Sequence, residues 1–296
     1  MGGRVFGALC EQIKQENVQP TINKFIEQFG DVVGKVPEYK TLGSTGKKEV
    51  SGDIDLAVSE FFLNNLNLSE MLVAERYVRF KQRARTATED QLWLRSRLSV
   101  LCDILTKGGF VVSDKSINNG VIFFEFPQYN EADEQIGKMV QIDVNFGNLT
   151  WLEFTYYSND IDMNIKGLHR TQLILHILSY LGYTMNHNRG VKVNGDDEWI
   201  IAHPEGVRLL IEQSFERDLQ METLTSYHWL IDWMEGLTMY DWRGIMDLYL
   251  KTLDSTRCDI PEDLQWYWIG NQERLGLTGK FLPETSNLCK YVTTQQ

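Results

Sequence analysis

The chain is short of positive charge, cysteine and proline, and it has no long apolar run. Its 29 Lys and Arg stand against 41 Asp and Glu, a formal net charge of −12. Proteins that coat or slide along nucleic acid neutralise phosphates, so this balance speaks against that class. It leaves room for a local basic surface. Four cysteines, Cys10, Cys102, Cys258 and Cys289, are scattered with no C-x-x-C pair. They predict reduced structural thiols, neither a zinc site nor a disulfide framework. No apolar run reaches the roughly 18–20 residues of a membrane helix. The start, MGGRVFGALCEQIK, has too short an apolar stretch for a secretory leader. Phe6 stands where a myristoylation motif needs Ser or Thr. The expectation is a cytoplasmic protein with no membrane partner. Hydrophobic residues make up 43% of the 296, enough for a sizeable core in one large domain or two smaller ones. There are no repeats and no obvious linker.

What is present centres on residues 41–58, TLGSTGKKEVSGDIDLAV. It reads as a glycine-hinged turn followed by a strand. Side chains on a strand alternate faces, so Asp53 and Asp55 point one way and Ile54 and Leu56 the other. Two carboxylates about 7 Å apart on one face repel unless a cation sits between them. A divalent metal is the natural occupant, and Mg²⁺ is held by one or two carboxylates plus substrate phosphates. Ahead of the strand, Gly43 offers close backbone approach, Ser44 a hydroxyl, and Lys47 and Lys48 positive charge. That set is a candidate cradle for a triphosphate. The Gly46-Lys47 pair is not a Walker A loop, because Thr41 and Lys48 stand where that motif needs Gly and Ser or Thr.

Gly43-Ser44, eight residues, then Asp53-Ile54-Asp55-Leu56 resembles the signature of the DNA polymerase β nucleotidyltransferase superfamily. The Ser51-Gly52-Asp53 lead-in is most like the family X polymerases. The resemblance implies a third carboxylate on a neighbouring strand. Residues 138–146, KMVQIDVNF, put Gln141, Asp143 and Asn145 on one face and Val140, Ile142 and Val144 on the other, and Asp143 fits that place. A polar outer face fits the same alternation. Glu125, Asp160 and Asp162 are weaker rivals. Three carboxylates imply two Mg²⁺ (or Mn²⁺) ions, one activating a hydroxyl and one neutralising the departing pyrophosphate. Phe154-Thr155, Ser158, His169, Gly182, Tyr183 and Asn186 also sit where family X has comparable residues. Tyr156-Tyr157 departs from the Gly-Ser common there.

The implied fold is α/β. A small mixed sheet forms a palm-like nucleotidyltransferase core over residues 1–165, with a helical insertion at about 59–108. A helical C-terminal domain, thumb-like plus a tail, follows over 166–296. Apolar spacing over residues 5–33 predicts two helices separated by Pro20. Helices are expected over 66–85 and 89–107, and strands over 110–112, 120–126 and 138–146. The 66–107 region carries Arg76, Arg79, Lys81, Arg83, Arg85, Arg95 and Arg97. This is either a solvated face or a ledge for a nucleic-acid backbone or the triphosphate. Arg79, Arg83 and Arg95 are the candidate acceptor contacts. Lys166, His169 and Arg170 open a further helix and are either surface charges or phosphate ligands. His176 and His187 lack partners at metal-ligand spacing and read as structural. Trp229, Trp233, Trp242, Trp266 and Trp268 recur at helical spacing, as core or as a stacking platform for bases.

The function implied is metal-dependent transfer of a nucleoside monophosphate from an NTP to a hydroxyl. The expected acceptor is a polynucleotide 3′ end, such as tRNA, another RNA or DNA. A small molecule, a protein hydroxyl, or a non-catalytic nucleotide-binding module are the alternatives.

Overall fold

Core-facing side chains at every second position of three strands hold together a five-stranded sheet. A computed structural model describes residues 5–83, 87–162, 167–256 and 258–277. The chain is mixed α/β. In order the elements are β1 (Ile13–Lys14), α1 (Gln15–Val33), β2 (Tyr39–Thr41), β3 (Val50–Ser51) and β4 (Ile54–Ser59). Then come α2 (Glu60–Asn64), α3 (Glu70–Arg83), α4 (Glu89–Lys107), β5 (Val111–Ser113), β6 (Val121–Tyr129) and β7 (Gln135–Gly147). The remainder is α5 (Leu149–Thr155), α6 (Leu168–Tyr180), β8 (Tyr183–Asn186), β9 (Gly190–Val193), α7 (Pro204–Phe215), α8 (Tyr227–Met234), α9 (Met239–Thr256) and α10 (Gln265–Leu275).

The main sheet runs β2-β4-β7-β6-β5. Only β4 and β7 pair in parallel, which makes the sheet mixed. Ile54, Leu56 and Val58 of β4, Val140, Ile142, Val144 and Phe146 of β7, and Ile122, Phe124 and Phe126 of β6 share one face. Helices α1 and α4 cover it, with Phe25, Phe29, Leu98, Leu101 and Leu105 buried there. A second cluster of buried side chains joins α5 to α10, from Trp151 to Trp268. No helix among the described residues is long and apolar enough to cross a membrane.

Several boundaries differ from the sequence expectation. Residues 15–33 form one helix with Pro20 inside it, not two helices. Proline there removes one backbone hydrogen bond. Continuous burial of Val18, Ile22, Phe25, Ile26 and Phe29 outweighs that loss. The expected helix over 66–85 begins only at Glu70, and Leu72, which the spacing puts on its apolar side, is 40% exposed. Arg85 lies outside the described residues, as do Lys166 and Cys289. Helix α4 matches its expected span, and a capping box fixes its start: Thr88 Oγ1 accepts from Gln91 N while Gln91 Oε1 accepts from Thr88 N. Strand β6 runs through Pro127, where the ladder with β7 is irregular.

Candidate active site

The face of the sheet opposite α1 and α4 collects the acidic residues, beside the buried Ala57, Gln141 and Asn145. Parallel pairing sets Asp55 of β4 directly beside Asp143 of β7. Asp53 sits in the bend just before β4, not within the strand as its alternation suggested. Even so, one carboxylate oxygen from each of Asp53, Asp55 and Asp143 lies within 4.8 Å of the others. All three are half-buried. Burial, with the charges of Asp53 and Asp143, holds Asp55 well above the ordinary carboxylate range. Asp143 is pushed up to about 7 by burial, with a smaller push from Asp53 and an opposing hydrogen bond from Gln141. Gln141 Nε2 donates to Asp143 Oδ1 at 2.7 Å, and its Oε1 accepts from Val5 N at 2.9 Å.

The turn at residues 42–47 is clamped onto β4. Leu42 N donates to Asp55 O at 2.9 Å, and Asp55 N donates to Thr45 Oγ1 at 2.9 Å. Thr45 N closes onto Leu42 O at 3.2 Å and Lys47 N onto Ser44 O at 3.1 Å. Gly43 and Gly46 adopt φ of +60° and +71°, the left-handed region that side chains resist. A Cβ on Gly43 would stand 3.7 Å from Asp55 Oδ2. The turn's backbone therefore lies against the acidic group. Ser44 is half-buried in this turn and Lys48 is exposed. Lys47 points to the neighbouring loop, with Nζ 2.7 Å from Ser158 O and 5.2 Å from the centre of the Tyr157 ring.

Two groups at the site were not assigned to it from the sequence: Tyr156, read only as a departure from the family X Gly-Ser, and Cys10, read as a structural thiol. Tyr156 packs with Leu42, Ala57 and Leu152, and its hydroxyl donates to Asn145 Oδ1 at 3.2 Å. Burial, then Asp55 and Asp143, raise its pKa. Cys10 lies near Asp143 as well. Its thiol is pushed up to about 11 by burial, then by Glu125 and Asp143, which makes it a poor nucleophile. For Tyr156 the signal was its offset from Thr155; for Cys10 there was none, since nothing local ties residue 10 to residue 143.

Other candidates are structural. Arg170 is fully buried, donates to the carbonyls of Leu224 (3.1 Å) and Phe154, and is lowered to about 10 by burial. His169 is buried with Nδ1 2.8 Å from Tyr249 Oη. Neither is placed to meet a phosphate in solvent. His176 bridges Gln172 O and Thr252 Oγ1, at 2.5 and 2.7 Å, as a structural residue does. His187 is lowered by burial and then by Arg170, and its ring lies 5.9 Å from that of Tyr156. Asp162 caps α8, accepting from Ser226 Oγ and Tyr227 N at 3.0 and 2.7 Å. Glu125 sits opposite Gln141 in the ladder.

The basic helices are partly neutralised. Arg76 pairs with Asp103 at 2.7 Å, Arg97 with Glu70 at 3.4 Å, and Lys81 with Glu89 at 3.6 Å. Arg95 lies over the Phe80 ring at 4.0 Å. Arg79 and Arg83 are exposed. The tryptophans divide: Trp233 and Trp268 are buried, while Trp229 and Trp266 are 38% and 60% exposed. No protein-family model matches the chain, and no curated protein matches it either.

Proposed function

We propose that the protein is a metal-dependent nucleotidyltransferase of the DNA polymerase β type. The observation that carries this reading is the convergence of Asp53, Asp55 and Asp143 within 4.8 Å beside a glycine turn. The donor set fits a hard divalent cation: three carboxylates, two of them with raised proton affinity, gain most from a charge placed between them. Two Mg²⁺ or Mn²⁺ ions held by these residues would supply charge neutralisation for the attacking oxygen and the departing pyrophosphate. Gly43, Ser44 and Lys48 line or flank the turn that would face the β- and γ-phosphates, and Lys47 would join them by leaving the Ser158 carbonyl. The acceptor hydroxyl oxygen attacks the α-phosphorus of an NTP, the bond to the β-phosphate oxygen breaks, and pyrophosphate leaves. Asp143 would hold the ion beside the acceptor hydroxyl and help to take its proton.

A polynucleotide end is the acceptor to test first, through the exposed Arg79 and Arg83 and the nearby Arg95. The ion pairs on the same helices and the −12 charge favour a second reading, a small-molecule or protein hydroxyl. The deciding experiment incubates the protein with each α-labelled NTP, Mg²⁺ and either RNA, single-stranded DNA or a protein extract. Label should enter one class with pyrophosphate release, and Asp53→Ala or Asp143→Ala should abolish it without loss of fold. Wild-type turnover in both variants would refute the assignment.

A further inference from the structure

A concave site lies in the C-terminal helices, away from the carboxylates. A cleft of about 420 Å³ is lined by Trp242 and Arg243 of α9, Trp266, Tyr267 and Asn271 of α10, and Glu235 beyond α8. That volume is in the range of small-ligand sites. The indoles of Trp242 and Trp266 are within 16° of parallel, with ring centres 6.3 Å apart. Tyr267 braces both, its ring edge-on to Trp242 at 4.8 Å and to Trp266 at 5.5 Å. Tyr267 is itself fixed, its hydroxyl donating to Asp247 Oδ1 at 2.8 Å. The aromatic surface is therefore held in place before any ligand arrives, although Trp266 remains 60% exposed. Exposing an indole to this degree forgoes the burial that tryptophan ordinarily supplies.

Two exposed charges of opposite sign share the lining. Among the described residues, neither Glu235 nor Arg243 has a side-chain hydrogen bond or ion pair. Flat aromatic faces, an acceptor-only carboxylate and a free guanidinium call for one ligand with three parts: a planar ring, N–H donors on its edge and an anionic group. We propose that this cleft binds a single nucleotide, its base stacked on Trp266, its ring N–H groups donating to Glu235 and its phosphate on Arg243. A strand of nucleic acid is disfavoured, because Arg243 is the one cation lining the cleft among the described residues and the chain is strongly acidic. Guanine suits the carboxylate best, since its N1–H and exocyclic N–H₂ lie side by side and match two carboxylate oxygens. The proposal goes beyond the transfer reaction and does not depend on it.

The test is tryptophan fluorescence titrated with GMP, AMP and a single-stranded oligonucleotide, in EDTA so that the carboxylate site cannot hold a metal-bound nucleotide. GMP should quench saturably and more tightly than AMP. Trp266→Ala should weaken GMP by roughly five- to a hundredfold, the range expected for removing one base stack. Trp266→Phe should restore most of the binding, and Asp143→Asn should leave it unchanged. Trp266 is mostly exposed, so its variants should melt like the wild type, which calorimetry checks. Four results would overturn the proposal: no saturable quenching by either mononucleotide, quenching that survives Trp266→Ala, binding of the oligonucleotide alone, or a Trp266-dependent dimer by light scattering. The last two would assign the cleft to a strand or to a second copy of the chain.

Discussion

Without metal at pH 8, replacing Asp143 by Asn is expected to stabilise the protein. Burial and the Asp53 charge raise the Asp143 carboxyl from 3.8 to about 7. A raised carboxyl binds more protons in the folded chain than in the unfolded one. The contribution of Asp143 to stability is therefore greatest below about pH 4, falls as the pH climbs through about 7, and levels off above. The interval from 3.8 to about 7 amounts to about 4 kcal/mol, at about 1.36 kcal/mol per tenfold change in proton affinity. That figure is a ceiling, since relaxation and water shield the charges. A gain of at least about 1 kcal/mol is expected from Asn, which is the same shape, is neutral and still accepts the Gln141 hydrogen bond. Urea unfolding in EDTA reads it directly. The advantage of Asn should be present at pH 8 and shrink at pH 5, where the wild-type carboxyl is protonated. Mg²⁺ at about a hundred times its Kd should add about 2.7 kcal/mol to the wild type, raising Tm by roughly 5–10 °C, and should not do so for Asp143→Asn. An Asn variant less stable than wild type at pH 8 in EDTA, or an equal difference at both pH values, would refute the reasoning. It would mean that Asp143 is a satisfied structural carboxylate.

Arg170→Met should lower stability by about 2–4 kcal/mol, because it strands the Leu224 and Phe154 carbonyls; lost nucleotide affinity with an unchanged melting curve would instead make Arg170 a ligand. Gly43→Val should cost about 1–2 kcal/mol through a left-handed φ and raise KM for NTP more than it lowers kcat, whereas unchanged nucleotide kinetics would remove the turn from the site. If the acceptor is a polynucleotide, Arg79, Arg83 and Arg95 all changed to Ala should weaken it and flatten its log–log salt dependence by about 0.7–0.9 for each phosphate no longer neutralised. Labelling indifferent to both salt and the triple variant would leave the acceptor to other surfaces.

Elements governed by local pattern were legible in the sequence. Helix α4 has a strong cap, a clear apolar stripe and a glycine stop, and it forms where its pattern ends. The alternating faces of β4 and β7 were readable because every second residue is an aliphatic or aromatic side chain that packs under α1 and α4. Pro20 shows the limit of local rules. Proline as a helix breaker is a statement about one hydrogen bond, while the fate of α1 depends on its apolar face meeting the sheet and α4. Arg170 shows the same limit for charge. A basic residue opening a helix resembles a phosphate ligand until the chain brings carbonyls from residues 154 and 224 around it.

The acidic group itself follows from register, which no local pattern specifies. Asp55 and Asp143 are 88 positions apart, and they meet because Ile54 pairs with Ile142 and Leu56 with Val144. Those apolar partners must all face α1 and α4. A one-residue slip of β7 would turn Ile142 and Val144 outward and drive Asp143 into the hydrophobic core. Burial of the inner face thus selects the register that aligns the carboxylates on the outer face. The core accepts this although the aligned carboxylates are costly to ionise, because several buried aliphatic side chains at about 1.5–3 kcal/mol each outweigh a cost at Asp143 of at most about 4 kcal/mol, most of it from burial. A fold that holds two like charges together by its core is poised for a cation, and the pH-dependent stability of the metal-free protein measures that strain before any substrate is known.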